Sequence, residues 1–422
     1  MLRASVWSGL EVKVDKEKKG SEALLEWYDS HRRKLPWRED PTPYHVWISE
    51  IMLQQTRVEA VRGYYARFVD RFPDIQSLAE AEEDECLKLW EGLGYYSRVR
   101  NMQKAAREIM SAYGGEMPRT ASELRKLPGI GPYTSAAIAS IAYGEKIPAV
   151  DGNLLRIFSR LALYEKEIRT PAAASEAYGF FLELMPDDRP GDFNQALMDL
   201  GSSVCVPGQG ALCRESADAC PLSSFCRAFR SRLWASLPVM PAKKVRRADK
   251  KTILVIRDGE LVMLRRRPSR GLLAGLYEFP SEEGWLTAEE AVGKARSYGC
   301  HPVRISPLQD SRHIFSHREW LMHGYEIWTG SFPEEKPLGK NMEAESFTEG
   351  KQSEKDMEAG SFPEEKQSEK NTGSEQALSP EKAGVPFFVS VSELQDRYAV
   401  PGAYAAYLSI LTGEHFQSRA KL

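Results

Sequence analysis

Four cysteines, Cys205, Cys213, Cys220 and Cys226, crowd one short stretch of a 422-residue chain that has only two others, Cys86 and Cys300. Thiolates so close together suit a tetrahedral iron-sulfur or zinc site, and the stretch that carries them reads as a metal-tied loop. Two disulfides are the alternative, but nothing marks the chain as secreted. Its first twenty residues are charged and lack the apolar run of a signal peptide, and no later stretch approaches the about 18 apolar residues of a membrane span. A soluble, intracellular protein with no membrane partner is expected.

A chain of this length divides into two or three domains, each able to bury a core. After a tail over residues 1–20, apolar positions recur three and four apart from 21 to 238, with short Gly/Pro punctuation, so this part is expected to be all-helical. Thr42 and Pro43 read as an N-cap and a first-turn proline opening one of its helices. Residues 239–250 set Lys243, Lys244, Arg246, Arg247 and Lys250 against the single acid Asp249, a basic linker. From 251 to 422 a hairpin pattern around Asp258-Gly259 introduces mixed strands and helices, an α/β domain. Its interruption is a repeat: SFPEEKPLGKN, SFTEGKQSEKD and SFPEEKQSEKN begin at residues 331, 346 and 361. Such composition buries too little apolar surface to offset chain entropy, so 331–384 is expected to be a disordered insertion. The same segment holds 13 acidic and 7 basic residues, which hides a net positive remainder behind the overall charge of -3.

Three local patterns carry chemistry. LPGIG, with Leu127, Gly129 and Gly131, followed by PYTSAAIASIA has the form of a helix-hairpin-helix, whose turn amides and helix N-terminus can hold a DNA phosphate. Glu50 lies inside the apolar run VWISEIML, where a carboxylate is costly unless paired, protonated or in use. A surface helix with a Glu50 to Gln54 contact is the alternative. Asp151, in AVDGNLLRI, precedes a helical pattern and also reads as a plain N-cap.

Taken together, LPWR, SEIMLQQT, GLGYYSR, LPGIGPYTSAAI, AVDGNLLRI, FNQALMDLG and the cysteine loop resemble the adenine DNA glycosylase (MutY) family of the helix-hairpin-helix glycosylase superfamily. GLLAGLYEFP and HIFSH are similar to that family's C-terminal Nudix-like domain, which recognises 8-oxoguanine. No Arg-Glu-x-x-Glu-Glu run follows Glu278, so a reader is implied and not a magnesium-dependent hydrolase. The resemblance implies a multidomain protein, an all-α glycosylase domain plus an α/β Nudix-like domain, that removes adenine opposite 8-oxoguanine or guanine from duplex DNA and acts as a monomer. It makes Glu50 the acid for adenine N7, Asp151 the anion facing the sugar and Tyr133 their hydrogen-bonding neighbour. Relatives that also cleave the strand carry a lysine where Tyr133 stands, so an abasic site in an intact strand is the implied product. Gln55 and Tyr95 become wedges at the lesion pair, Trp37, Arg38 and Gln195 the surround of the extruded adenine, and Ser316 and His317 the contacts to 8-oxoguanine. For Tyr95 and Trp37, core packing is the alternative.

The four cysteines imply a 4Fe-4S cluster, although the family spacing C-x6-C-x2-C-x5-C is here C-x7-C-x6-C-x5-C. Zinc or an empty site is the fallback. Competing functions are a glycosylase for another mismatch, such as thymine opposite guanine, a catalytically silent lesion-binding protein and a hydrolase of oxidised nucleotides. The missing targeting peptide suggests a bacterial, cytoplasmic protein working at the nucleoid.

Overall fold

The computed structural model describes residues 14–242, 245–330 and 383–412. The repeat insertion therefore lies almost wholly outside the described residues. The chain separates into two compact units, residues 1–247 with 395–402, and residues 248–394 with 403–422.

The first unit is helical. Its elements are α1 (Val14–His31), α2 (Pro36–Glu39), α3 (Pro43–Leu53), α4 (Val58–Arg71), α5 (Ile75–Glu80), α6 (Glu83–Leu89), α7 (Ser97–Ala112), α8 (Ala121–Leu124), α9 (Pro132–Tyr143), α10 (Gly152–Leu161), α11 (Pro171–Leu184), α12 (Pro190–Ser203) and α13 (Arg227–Arg230). Helix α1 starts inside the stretch read as a tail. Several starts follow one chemical rule: Thr42 before α3 and Thr170 before α11 each accept a backbone N–H in the first turn, and a proline occupies the position after the cap. Helix α9 ends at Gly144, whose φ of 73° is a left-handed cap that glycine adopts without strain.

Helix α3 is apolar on nearly every side, and its residues from Val46 to Met52 are all buried. A helix of that kind must be packed on all sides. Helices α9 and α12 cross so closely that a Cβ on Gly191 would lie 2.7 Å from the Ser140 carbonyl oxygen. Next to that crossing, buried Asn194 accepts from the Ala149 N–H (3.0 Å) and donates to Ser140 Oγ (2.8 Å) and to the Ile147 carbonyl (2.9 Å). It thereby fixes the extended segment that delivers Asp151 to the start of α10.

The second unit is a seven-stranded sheet with helices. Strands β1 (Arg247–Asp258) and β2 (Leu261–Arg266) form the expected hairpin, with Arg257 opposite Val262 and Gly259 at φ 56° in the turn. After β3 (Tyr277–Glu278), β4 (Ser281–Glu283) and α14 (Ala288–Ser297), the long hairpin of β5 (Pro302–Ile314) and β6 (Arg318–Thr329) follows. Strand β7 (Pro386–Ser390) then pairs with β2, and α15 (Val391–Arg397) and α16 (Ala405–Thr412) complete the described elements. Leu254, Ile256, Met263 and Ile327 from the sheet bury against Ala291 and Ala295 of α14. Strand β1 begins at Arg247, within the basic stretch.

The Gly191 contact gives a direct test of this packing. Gly191→Ala forces backbone atoms of α9 and α12 apart and is expected to destabilise the protein by about 1–3 kcal/mol, read as a lower urea midpoint at unchanged slope.

Candidate active site

Three helices bring two carboxyl groups and a phenol together. Glu50 projects from the C-terminal half of α3 and is buried, only 5% exposed. Tyr133, in the first turn of α9, donates its hydroxyl to Glu50 Oε2 at 2.6 Å and lies 3.7 Å from Met198 Sδ on α12. The surface-helix alternative for Glu50 therefore fails, and Gln54 bonds Thr134 Oγ1 (3.2 Å) instead. Asp151 is the N-cap of α10: its carboxylate accepts from the N–H groups of Asn153 (2.9 Å) and Leu154 (2.8 Å) and from Asn153 Nδ2 (2.9 Å). The N-cap reading of Asp151 is thus seen in the structure.

The electrostatics of the two acids differ. Burial pushes Glu50 up to about 7, the Tyr133 hydrogen bond and Arg38 pull it back, and the Asp151 charge adds to the rise. Burial also raises Asp151, but the Leu154 and Asn153 N–H groups, Arg156 and the Asn153 amide all oppose it. N–H donors bond a carboxylate more strongly than a neutral carboxyl, and the amino end of α10 favours the anion, so these groups limit the rise that burial causes. Burial, with both neighbouring carboxylates, drives the Tyr133 phenol well above its usual range, so it stays a donor.

The remaining sequence-derived candidates take distinct places. Trp37 is buried, 5.2 Å edge-on from Tyr65. Arg38 spends its fork on buried Asp199, with bonds of 2.7 and 3.0 Å, and lies over the Tyr28 ring. Gln195 is half-buried on α12. In the hairpin, Leu127 is packed inside, so only its backbone is available, whereas Gly129 is exposed at φ 77° and Gly131 caps α9. A Cβ on Gly129 would meet Asn101 Cβ at 2.6 Å, so glycine is required there twice over. Gln55 and Tyr95 are exposed and share a rare backbone state for non-glycine residues, with φ of 59° and 48°. In the second unit, Ser316 and His317 are exposed at the β5–β6 tip, closed by the Phe315 N–H to Arg318 carbonyl bond (2.8 Å). Phe315 anchors that tip against Trp320, 4.9 Å away.

Sequence reading missed the polar frame behind Asp151. Arg156 bonds Asn153 Oδ1 (2.8 Å), the Gly201 carbonyl (2.7 Å) and the Cys205 carbonyl (2.8 Å), joining the cap of α10 to the end of α12 and the cysteine loop. The available signal was two arginines, Arg156 and Arg160, one helical turn apart in the otherwise apolar run LLRIFSRL.

The four cysteines are free thiols lining one apolar pocket with Ile157, Leu161, Leu222 and Phe229. Arg160 Nη1 lies 3.2 Å from Cys205 Sγ, and the Phe229 N–H lies 3.4 Å from Cys226 Sγ. Burial pushes Cys220 up to about 12 and Cys226 to about 11. Among the described residues no three His, Cys, Asp or Glu side chains are grouped to grip a single metal ion.

Residues 48–178 match the family model described as "HhH-GPD superfamily base excision DNA repair protein", and 252–349 match that of the NUDIX domain. The adenine DNA glycosylase of Mus musculus is 37% identical over 362 residues, spanning 72% of this chain and 69% of the relative. That of Buchnera aphidicola subsp. Schizaphis graminum is 35% identical over 304 residues, covering 70% of this chain and 84% of its own. The chain belongs to the adenine DNA glycosylases. Membership makes it a hydrolase, and its helical unit is the family's helix-hairpin-helix domain. Among solved structures, a thermostable thymine-DNA glycosylase aligns at TM-score 0.46 and 27% identity over 51% of this chain and 98% of its own. No described helix is long and apolar enough to cross a membrane.

The carboxyl environment is measurable without any substrate. Carbon-13 NMR of carboxyl-labelled glutamate should show Glu50 titrating near pH 7, far above its surface counterparts. Since the Tyr133 hydroxyl lowers Glu50, Tyr133→Phe should move that midpoint higher still.

Proposed function

We propose that this protein extrudes adenine paired with 8-oxoguanine or guanine in duplex DNA, hydrolyses its N-glycosidic bond and leaves an abasic site in an intact strand. The observation that carries the reading is the pairing of a Glu50 poised near neutrality, hydrogen-bonded by Tyr133 of α9, with an Asp151 that accepts from N–H donors. Adenine leaves deoxyribose poorly, so its departure needs a proton on the base and a counter-charge for the cationic sugar. Glu50, which burial helps to keep protonated, supplies the first through adenine N7. Asp151 supplies the second, beside the ring carbon that becomes electron-poor. Tyr133 holds the Glu50 carboxyl in place, and because a phenol forms no Schiff base, strand cleavage through one is not expected.

Extrusion costs about a few kcal/mol in stacking and pairing. Gln55 and Tyr95 fill the vacated space, while Trp37, Arg38 and Gln195 surround the purine. Backbone amides of the turn from Leu127 through Gly129 to Gly131 hold a phosphate. Ser316 and His317 contact 8-oxoguanine from the hairpin tip, and the protein acts as a monomer. Cys205, Cys213, Cys220 and Cys226 hold a 4Fe-4S cluster, which when bound cross-links the loop as a structural and redox-capable group.

Single-turnover assays on duplexes with adenine opposite 8-oxoguanine test the reading. Strand breaks should appear after alkali and hardly before it. Glu50→Gln and Asp151→Asn should each lower the rate by at least about 10²–10⁴-fold. Full activity in Glu50→Gln would end the assignment. The rate should fall as pH rises through about 7, since Glu50 then loses the proton it must give. Ser316→Ala and His317→Ala should narrow the preference for 8-oxoguanine over guanine.

The cluster has its own readout. Iron analysis and an absorbance shoulder near about 400 nm should be present, and Cys220→Ser should weaken both. Zinc without iron would refute the cluster assignment.

A further inference from the structure

Gln55 and Tyr95 stand on turns from different parts of the chain, yet one side chain grips both turns. Arg98, in the first turn of α7, is buried. Its Nη1 donates to the carbonyls of Ile51 (2.7 Å), Met52 (2.9 Å) and Gln54 (2.8 Å), the last groups of α3 before Gln55. Its Nη2 donates to the carbonyls of Leu93 (3.0 Å) and Gly94 (3.1 Å), the groups just before Tyr95, and reaches Thr56 Oγ1 at 3.5 Å. The guanidinium also lies 5.2 Å from the Trp90 ring centroid and 5.7 Å from that of Tyr95. Burial depresses its pKa to about 10, which still leaves it a cation at neutral pH. Carbonyl dipoles surround that charge, and no described carboxylate pairs with it.

A left-handed backbone is unfavourable for glutamine and for tyrosine, and it persists only where surrounding structure over-determines it. The carbonyl before each of these residues is oriented by the turn itself. A fixed donor fork aimed at both sets of carbonyls therefore selects the two turn conformations together and sets their spacing. Lysine has one ammonium and no rigid fork, so it cannot reproduce that geometry.

We propose that Arg98 is a positioning residue that holds the Gln55 and Tyr95 turns in mutual register, so that both side chains enter the duplex as one wedge. The inference rests on the proposed wedge role of those two residues. Arg98 does not touch the reacting atoms, so its effect is confined to base extrusion and absent from bond cleavage.

The test compares single-turnover rates on adenine opposite 8-oxoguanine with rates on adenine opposite an abasic site, where no partner base must be displaced. Gln55→Ala and Tyr95→Ala serve as reference variants, and Arg98→Lys and Arg98→Leu as the test. Both Arg98 variants should lose about ten- to a hundredfold on the paired substrate, well beyond their loss on the abasic partner. The midpoint of the pH profile should stay that of the unsubstituted protein. Equal losses on both substrates, or a shifted pH midpoint, would reduce Arg98 to general support of the fold and overturn the proposal. Normal paired-substrate rates in Arg98→Lys would overturn it too, and this variant decides the matter should Arg98→Leu not fold. If Gln55→Ala and Tyr95→Ala show no selective loss, the wedge reading fails first, and the inference goes with it.

Discussion

A helix that ends inside a protein strands its last carbonyl groups away from water, and each buried acceptor left unmet costs about 1–3 kcal/mol. In the helical unit, helices end in this way around the candidate site, and buried arginines answer them. Arg98 meets the end of α3, Arg156 the end of α12, and Arg160 the carbonyls of Val206 and Leu237 beyond the cysteine loop's first ligand candidate. Each planar fork joins chain segments distant in sequence, so the requirement to satisfy carbonyls also fixes the loops that carry Gln55, Tyr95, Asp151 and Cys205. Lysine has no such fork, which is why arginine occupies these places.

Against that frame the two site carboxyls show how identical chemistry diverges with donors. Glu50 is buried with one hydroxyl bond from Tyr133, and Asp151 is half-buried and receives two backbone N–H groups and an amide at a helix N-terminus. Desolvation is the largest influence on both and raises both, but more donors oppose it at Asp151. The second unit makes a similar point with the opposite outcome. Glu278 is fully enclosed by Arg265, Arg267 and the Tyr404 hydroxyl, so its charge is consumed internally. Such a carboxylate serves the fold of its sheet, in keeping with the absence of a following acidic metal-binding run.

Much of this architecture was legible residue by residue. Thr42 and Pro43 announced α3, Asp258-Gly259 announced the β1–β2 hairpin, and LPGIG announced a turn in which Gly129 has both a positive φ and a tight neighbour. These features are local: a cap, a turn or a glycine depends on a few consecutive residues. Contacts across the chain were not legible. Gln54, beside Glu50 only in the alternative surface-helix reading, donates to Thr134 on α9, 80 residues away. The bond of Arg38 to Asp199, 161 residues away, had no signal in the sequence.

By itself the sequence determined the helical and α/β halves, the starts and stops of major elements, the family motifs and the supply of two acids and four thiols. Periodicity, capping and turn chemistry act over one or two turns, and the chain states them outright. Tertiary structure decided which acid is starved of donors, which arginine answers which carbonyl, and that Gln55 and Tyr95 adopt left-handed turns tied to one guanidinium. Those outcomes depend on desolvation and on donors contributed by distant segments, quantities that exist only after the chain has packed.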